Sequence, residues 1–483
     1  MIPEARATVR NVSFLLAQQG FYALGSFLFA ALVPRLMGPQ VYGQYALISS
    51  LSIWLMLFSS LGLTQVIGRY VPQFITAGER EPLKLFMGNL LKLRLASGLL
   101  VALVYLGLTL LWLRDLDPLV LAFMAAAIWV RTVSNLLFTY FLGINLAAKW
   151  SLAEILRRWI SLGFLLPGFY VGGLRGACLG VLLAELTILA AGIRWTRDYF
   201  SWSGLKIDWR GMAPYFSFGL IFFGSELLRS TLHFSGESLV RAVTGDYVQV
   251  SYYGVAFNVY FTMAFLISQV GLAFAPLLVN LWSRGDTASV RGWIERLIKW
   301  LAMGGVIAVW GLLLLGDNLV PLVLGRSYRA VVPNLLPLLL TLLANVVSSA
   351  GGLLALIVNR PKVALVASGL QLVAFWSLGP LLIHRWASFG GCLAVLAATI
   401  LSAAFLFYRL QPIMSYSLKR YAWVIGLGVM FAPLCWLRSS WEVNLALFSL
   451  FVVAYSGVLL LLRIITPKEF TTVWQAITVK GYA

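Results

Sequence analysis

Long apolar stretches separated by short polar segments set the pattern of this chain. Fourteen of them have about the 20 residues that an α-helix needs to cross a bilayer. The longest polar interruptions lie near residues 68–88, 194–213 and 282–296. The pattern predicts an all-α polytopic membrane protein with about 14 transmembrane helices, near residues 11–34, 43–67, 89–113, 118–143, 151–171, 174–193, 214–236, 248–281, 297–316, 331–358, 363–384, 388–408, 421–438 and 443–464.

Composition supports the same fold class. Of the 483 residues, 61% are hydrophobic and 11% are charged, and the mean hydropathy is +0.89. Soluble proteins average about 45–50% apolar and about 25% charged residues, so a water-soluble globule and a disordered chain are both excluded. Residues 11–34 are longer than the apolar region of a signal peptide, so we expect a retained first helix.

The excess of positive charge predicts the orientation. The chain has 36 Lys and Arg against 17 Asp and Glu, a net charge of +19. With the N-terminus in the cytoplasm, 26 basic residues fall on the cytoplasmic side and 8 on the other. Cytoplasmic loops are enriched in Lys and Arg, so both termini are predicted to be cytoplasmic. Membrane lipids explain the basic charge, and no nucleic-acid partner is expected.

Motifs for catalysis, metal binding and nucleotide binding are absent from the sequence. The three cysteines and two histidines form no C-x-x-C or H-E-x-x-H pattern, and there is no phosphate-binding glycine loop. We therefore expect no metal, no cofactor and no enzyme activity. A polysaccharide polymerase or ligase would need a large outer loop, and no predicted outer loop exceeds about 20 residues.

A weak internal repeat runs along the chain at a spacing of 207–214 residues. Residues 34–46 and 240–256 both place an arginine and then a Tyr-Gly pair at the start of a span, and Asn145 and Asn359 end corresponding spans. The repeat predicts two pseudo-symmetric six-helix lobes around a central cavity, an architecture typical of alternating-access transporters. The predicted domains are 1–197 (N-lobe), 198–412 (C-lobe) and 413–483 (two C-terminal helices).

Four stretches carry a resemblance to a known family. They are VPRLMGPQVYGQYALISS (33–50), SSLGLTQVIGRYVPQF (59–74), SYYGVAFNVYFTMAFL (251–266) and LVPLVLGRSYRAVVPNLLPLL (319–339). They resemble the polysaccharide branch of the multidrug/oligosaccharidyl-lipid/polysaccharide (MOP) exporter superfamily, in particular O-antigen (Wzx-like) flippases. The resemblance covers about residues 10–410.

The resemblance implies a function. Such proteins move an undecaprenyl-diphosphate-linked oligosaccharide from the cytoplasmic to the periplasmic leaflet of the bacterial inner membrane, by alternating access and often with H+ or Na+ coupling. A polysaccharide polymerase is an implied partner. A lipid II flippase, a multidrug/cation antiporter of the same superfamily and a scaffold for polysaccharide synthesis stay open as alternatives.

Two arginines fall in the middle of predicted spans, where an arginine costs about 2.5–3.5 kcal/mol on insertion scales. Arg131, with Ser134 and Asn135, forms a polar face on the fourth span, and no acidic residue lies three or four positions away. An arginine without such a neighbour is a candidate contact for an anionic headgroup. The alternative is packing against carbonyl groups or Glu185.

The seventh span carries a polar stripe. Glu226, Arg229, Ser230, His233 and Glu237 recur at helical spacing, which predicts one helix face turned to water or protein. We interpret Arg229 as a second headgroup contact and Glu226, His233 and Glu185 as candidates for ion coupling. The alternative is that Glu226 and Arg229 neutralise each other.

Other polar positions are weaker candidates for substrate contacts. Gln18 and Asn258 could bind sugar hydroxyls, or they could hold helices together. Arg35 lies at the predicted outer end of the first span, where it could bind phosphate or anchor the membrane interface. Arg157 and Arg158 are predicted at the cytoplasmic mouth, near lipid headgroups.

Overall fold

The computed structural model of this chain is helical throughout the residues that it describes, which are 2–144, 146–197 and 209–466. These residues contain no β-strand. Short 3-10 helices lie at Arg326–Tyr328 and Ala432–Leu437. The α-helices are α1 (Ile2–Ser60), α2 (Leu63–Thr76), α3 (Arg80–Trp112), α4 (Pro118–Gly143), α5 (Ala147–Thr196), α6 (Trp209–Phe234), α7 (Gly236–Thr244), α8 (Tyr247–Ser283), α9 (Thr287–Leu324), α10 (Val331–Ile357), α11 (Pro361–Met414), α12 (Lys419–Val429) and α13 (Trp441–Leu461).

Three of the helices are too long for one membrane crossing, and each contains a sharp bend. The backbone leaves the helical region at Gly38 in α1, at Gly172 and Gly173 in α5, and at Trp386 and Ala387 in α11. Glycine adopts the positive φ of 57° at Gly173 without steric cost. The bends separate the pairs of spans that the sequence predicts in these three helices.

Contacts across the bends show that the chain folds back on itself. The rings of Phe29 and Tyr45 lie 6.3 Å apart, whereas 16 residues of straight helix would separate them by about 24 Å. In α5, Gly168 and Gly176 approach so closely that a Cβ added at either one would overlap the carbonyl oxygen of the other. Each of these two helices is therefore a helical hairpin.

The close approach in α5 predicts a stability effect. Gly176→Ala adds a methyl group against the Gly168 backbone, so we expect a loss of about 1–3 kcal/mol from overpacking. Thermal unfolding of the purified protein in detergent measures this loss. Gly163→Ala is the matched control, because its Cβ meets no atom within 4 Å. Equal melting temperatures of the two variants would contradict the tight hairpin.

Ten of the described helices are long and apolar enough to cross a membrane, which confirms a polytopic, all-α membrane protein. All fourteen predicted spans overlap helices of the structure, because three of the long helices each hold two spans. The number of actual crossings, fourteen, stays a prediction.

Two compact units make up the chain, Met1–Ser251 and Tyr252–Ala483. In the first unit, apolar side chains of α2, α3 and α4 form a core, and α6 and α7 pack against α1. The unit boundary places α6 and α7 with the first unit, whereas the repeat predicts that residues from 198 onward belong to the second lobe. The lobe and domain boundaries stay predictions, because they rest on the sequence repeat.

The second unit has two cores. One is formed by α8 to α11, and the other joins α9 to the C-terminal helices α12 and α13. The Trp310 indole donates a hydrogen bond to the Gly428 carbonyl oxygen at 3.0 Å, and the fully buried Lys299 donates to the Ile464 carbonyl oxygen at 2.8 Å. The C-terminal pair is thus fixed to α9 by polar contacts as well as by apolar packing.

Candidate functional site

Helix α4 places its polar side chains in the interior of the first unit. Its neighbours are the α5 hairpin, α3, α2 and α1. Arg131 and Ser134 are three residues apart and share one face of the helix, whereas Thr132 is turned by about 100°. Accordingly, Ser134 contacts α5 and Thr132 contacts Ser59 of α1.

Glu185 in the second half of α5 joins two arginines. Its Oε1 lies 3.7 Å from Nε of Arg131, and its Oε2 lies 3.5 Å from Nε of Arg157. Only 3% of the Glu185 side chain is exposed. The charge of Arg131 is therefore paired, as in the alternative that the sequence left open, and its role as a headgroup contact stays a prediction. Helical spacing could not show the partner, because Glu185 comes from another helix.

Arg157 lies deeper than the sequence predicts. Its Nη1 donates a hydrogen bond to Glu154 at 3.0 Å, and its Nη2 donates to Ser134 at 3.0 Å. With 8% of its side chain exposed, Arg157 is part of the helix packing and is not open to lipid headgroups. We call Arg131, Ser134, Glu154, Arg157 and Glu185 the buried ion network.

Arg131 differs from the other charged members of the buried ion network in its exposure. Its side chain is 38% exposed, and within the described part of the chain its guanidinium makes no hydrogen bond. The ion pair with Glu185 uses the Nε side of the group. Its terminal nitrogens keep their N–H donors, which suit a phosphate or a carboxylate.

Further arginines surround the buried ion network. Arg94 of α3 is 5% exposed and lies next to Ser59, and the guanidinium of Arg158 lies 4.4 Å from the Phe29 ring centre. Glu154 and Glu185 are the carboxylates that pair with cations in this part of the described structure. These two glutamates pair with Arg131 and Arg157, so the buried Arg94 adds a positive charge that they do not balance. The sequence tally of mid-span charges missed Arg94 and Arg157, because it assigned both to the cytoplasmic side.

The polar stripe predicted for the seventh span is divided between two helices. Glu226 accepts a hydrogen bond from Ser230 at 3.1 Å, and the His233 ring contacts Phe234. Because α6 ends at Phe234, Glu237 lies on α7 and does not extend the face of α6, which corrects the prediction of one continuous stripe. The side chain of Arg229 lies outside the described residues.

Asn135, Asn258 and Arg35 are the remaining candidates whose exposure the structure describes. Asn135 is half-buried, and Asn258 is exposed on α8. Arg35 is exposed, three residues before the Gly38 bend. The side chain of Gln18 lies outside the described residues. Of the predicted site residues, the structure thus brings together Arg131 and Glu185.

Comparison with known proteins identifies the family to which this chain is similar. A family model described as "Polysaccharide biosynthesis protein" matches residues 8–282. No curated protein matches the chain.

Solved structures share the fold at low sequence identity. An inward-facing multidrug resistance MATE family transporter of the MOP superfamily is 16% identical, with a TM-score of 0.69 over 82% of this chain and 94% of that one. The lipid II flippase MurJ, in an inward closed conformation, is 12% identical, with a TM-score of 0.70 over 93% of this chain and 98% of that one. A MATE protein in complex with MaD3S is 16% identical, with a TM-score of 0.53 over 85% of this chain and 96% of that one.

The family match spans more than half of the chain, and the structural matches cover nearly all of the solved proteins. The sequence resemblance is thereby confirmed: this chain belongs to the polysaccharide biosynthesis proteins and has the fold of the MOP superfamily.

Proposed function

We propose that this protein is a flippase for an undecaprenyl-diphosphate-linked oligosaccharide, an O-antigen or similar repeat unit. It moves this lipid from the cytoplasmic to the periplasmic leaflet of the bacterial inner membrane by alternating access. A polysaccharide polymerase would use the product.

The main support for the proposal is the environment of the Arg131 guanidinium, which is paired on one side only. Glu185 holds the guanidinium from one side, and the terminal N–H groups make no hydrogen bond in the described part of the chain. The Arg131 side chain is 38% exposed and keeps its terminal donors, which favours an anionic ligand. A diphosphate offers several acceptor oxygens, and guanidinium groups bind such oxygens in pairs. A cavity for cationic drugs would need the opposite charge.

Reconstitution into proteoliposomes tests the proposal. A fluorescent undecaprenyl-diphosphate-linked oligosaccharide is placed in both leaflets, and a membrane-impermeant reagent reports how much label is accessible over time. We expect transfer that requires the protein, and imposed H+ and Na+ gradients show whether either ion drives it.

Three parallel samples separate the alternatives. Lipid II replaces the oligosaccharide lipid in one sample, a cationic dye is the transported solute in another, and empty liposomes are the control. Transfer of lipid II alone would assign the protein to peptidoglycan precursors. Gradient-driven efflux of the dye without lipid transfer would show a multidrug antiporter and contradict the proposal.

A further inference from the structure

Arg94 is a buried cation with no charged partner among the described side chains. It lies on α3, and 5% of its surface is exposed. Its Nη1 donates one hydrogen bond, to Oγ of Ser59 at 3.3 Å, and its Nε is buried without a hydrogen bond. Among the side chains that the structure describes, no carboxylate lies within 4.0 Å of its nitrogens. Four of its five N–H donors are therefore unused.

The hydroxyl groups beside Arg94 cannot balance its charge. Ser59 directs its own proton to the Met56 carbonyl oxygen at 2.6 Å, so a lone pair of Ser59 faces the guanidinium. Thr132, 3.4 Å from Ser59, directs its proton to Ile128. A hydroxyl dipole contributes much less than a full negative charge, and a buried cation costs several kcal/mol unless it is compensated. An anion is the missing component.

Glu185 does not supply this charge. Both of its oxygens are within ion-pair distance of other arginines, Arg131 and Arg157. Glu154 pairs with Arg157 as well. The buried ion network is therefore neutral as a whole, with two arginines and two glutamates, and it leaves no carboxylate for Arg94.

The packing around Arg94 limits the size of an anion. One turn along α3, a Cβ added at Gly98 would lie 2.9 Å from the Thr132 methyl group. The Trp129 indole donates a hydrogen bond to the Leu95 carbonyl oxygen at 3.1 Å, which holds α4 against α3 beside Arg94. These two contacts bring α3 and α4 close together within about one turn of Arg94, which favours a small anion. A single-atom anion accepts N–H donors from any direction and needs the least room.

We infer that Arg94 binds a chloride ion between α1, α3 and α4, as a fixed counter-ion that stabilises the first unit. The chloride accepts the N–H donors that Ser59 leaves unused. This site is separate from the proposed headgroup contact at Arg131, so it does not depend on the transported lipid.

Chloride titration of the purified full-length protein in detergent tests the inference. Replacing gluconate by chloride at constant ionic strength is expected to raise the melting temperature by about 2 °C or more, because a ligand that binds the folded state stabilises it. Binding of radioactive chloride is expected at one site per chain, with bromide as a competitor.

Two variants show whether the effect of chloride depends on Arg94. Arg94→Gln is expected to abolish chloride binding and the chloride-dependent shift, and to raise the melting temperature in gluconate, because the uncompensated cation is gone. Arg114→Gln is the matched control, since Arg114 is exposed at the end of α3 and bonds only the Leu111 carbonyl oxygen. Equal chloride shifts in native protein and Arg94→Gln, or no bound chloride in the native protein, would overturn the inference.

Discussion

The Glu185→Ala variant is expected to unfold at a free energy about 1–3 kcal/mol below that of the native protein. The carboxylate lies within 4 Å of two arginines, and its removal leaves Arg131 unpaired and Arg157 with Glu154 alone. The cost arises mainly at Arg157, whose charge stays out of water, and is smaller at Arg131, whose side chain is 38% exposed. Thermal or denaturant unfolding in detergent measures the loss.

A surface pair provides the control. Lys84 and Glu81 form an ion pair at 2.9 Å on the exposed side of α3, and Glu81→Ala is expected to change stability by less than about 1 kcal/mol. A loss in Glu185→Ala no larger than in Glu81→Ala would show that the buried ion network does not stabilise the fold.

A second substitution identifies the cause of the loss. Arg131→Met in the Glu185→Ala background removes one of the uncompensated cations, so we expect part of the stability to return. The energies of the two changes are therefore not additive, as is usual for residues in contact. Strict additivity would contradict the ion pair between Arg131 and Glu185.

Flipping of the lipid-linked oligosaccharide is expected to fall at least tenfold in Arg131→Ala. Loss of charge-assisted hydrogen bonds to a diphosphate costs about 1.5–3 kcal/mol, a factor of about ten to one hundred. The proteoliposome assay measures the initial rate at equal protein content. Arg229→Ala, at the other mid-span arginine, is expected to have a similar effect.

Control variants distinguish a defect in transport from a defect in folding. Arg131→Lys keeps the positive charge but loses the planar pair of donors, so its rate is expected to lie between those of the native protein and Arg131→Ala. Arg114→Ala, at an exposed arginine, is expected to flip at the native rate. Native rates in both Arg131→Ala and Arg229→Ala would remove these residues from the proposed site.

The fold follows from the sequence to a large extent, because apolar length is a strong local signal. Residues 151–171 and 174–193 are separated in the sequence by two glycines, and the structure bends there. The end of α6 at Phe234 is less evident in the sequence. The helical spacing of polar residues continues through Glu237, whereas the helix itself ends at Phe234.

The candidate site follows from the sequence only in part. A buried arginine is visible as a mid-span charge, and Arg131 was identifiable on that ground. Its partner Glu185 lies 54 positions away, so the sequence offers this pair only as an alternative, and the packing of α4 against α5 establishes it. Arg94 and Arg157 lie near polar segments in the sequence, and their burial depends on neighbouring helices.

The contacts of α4 limit how the length of this chain can change in evolution. Arg131 and Ser134 contact α5 and Thr132 contacts α1, and inserting one residue before them would turn all three side chains by about 100°. The turn would separate Arg131 from Glu185 and expose a charge to lipid. Insertions and deletions should therefore accumulate in the segment between α3 and α4 and be absent from the middle of α4.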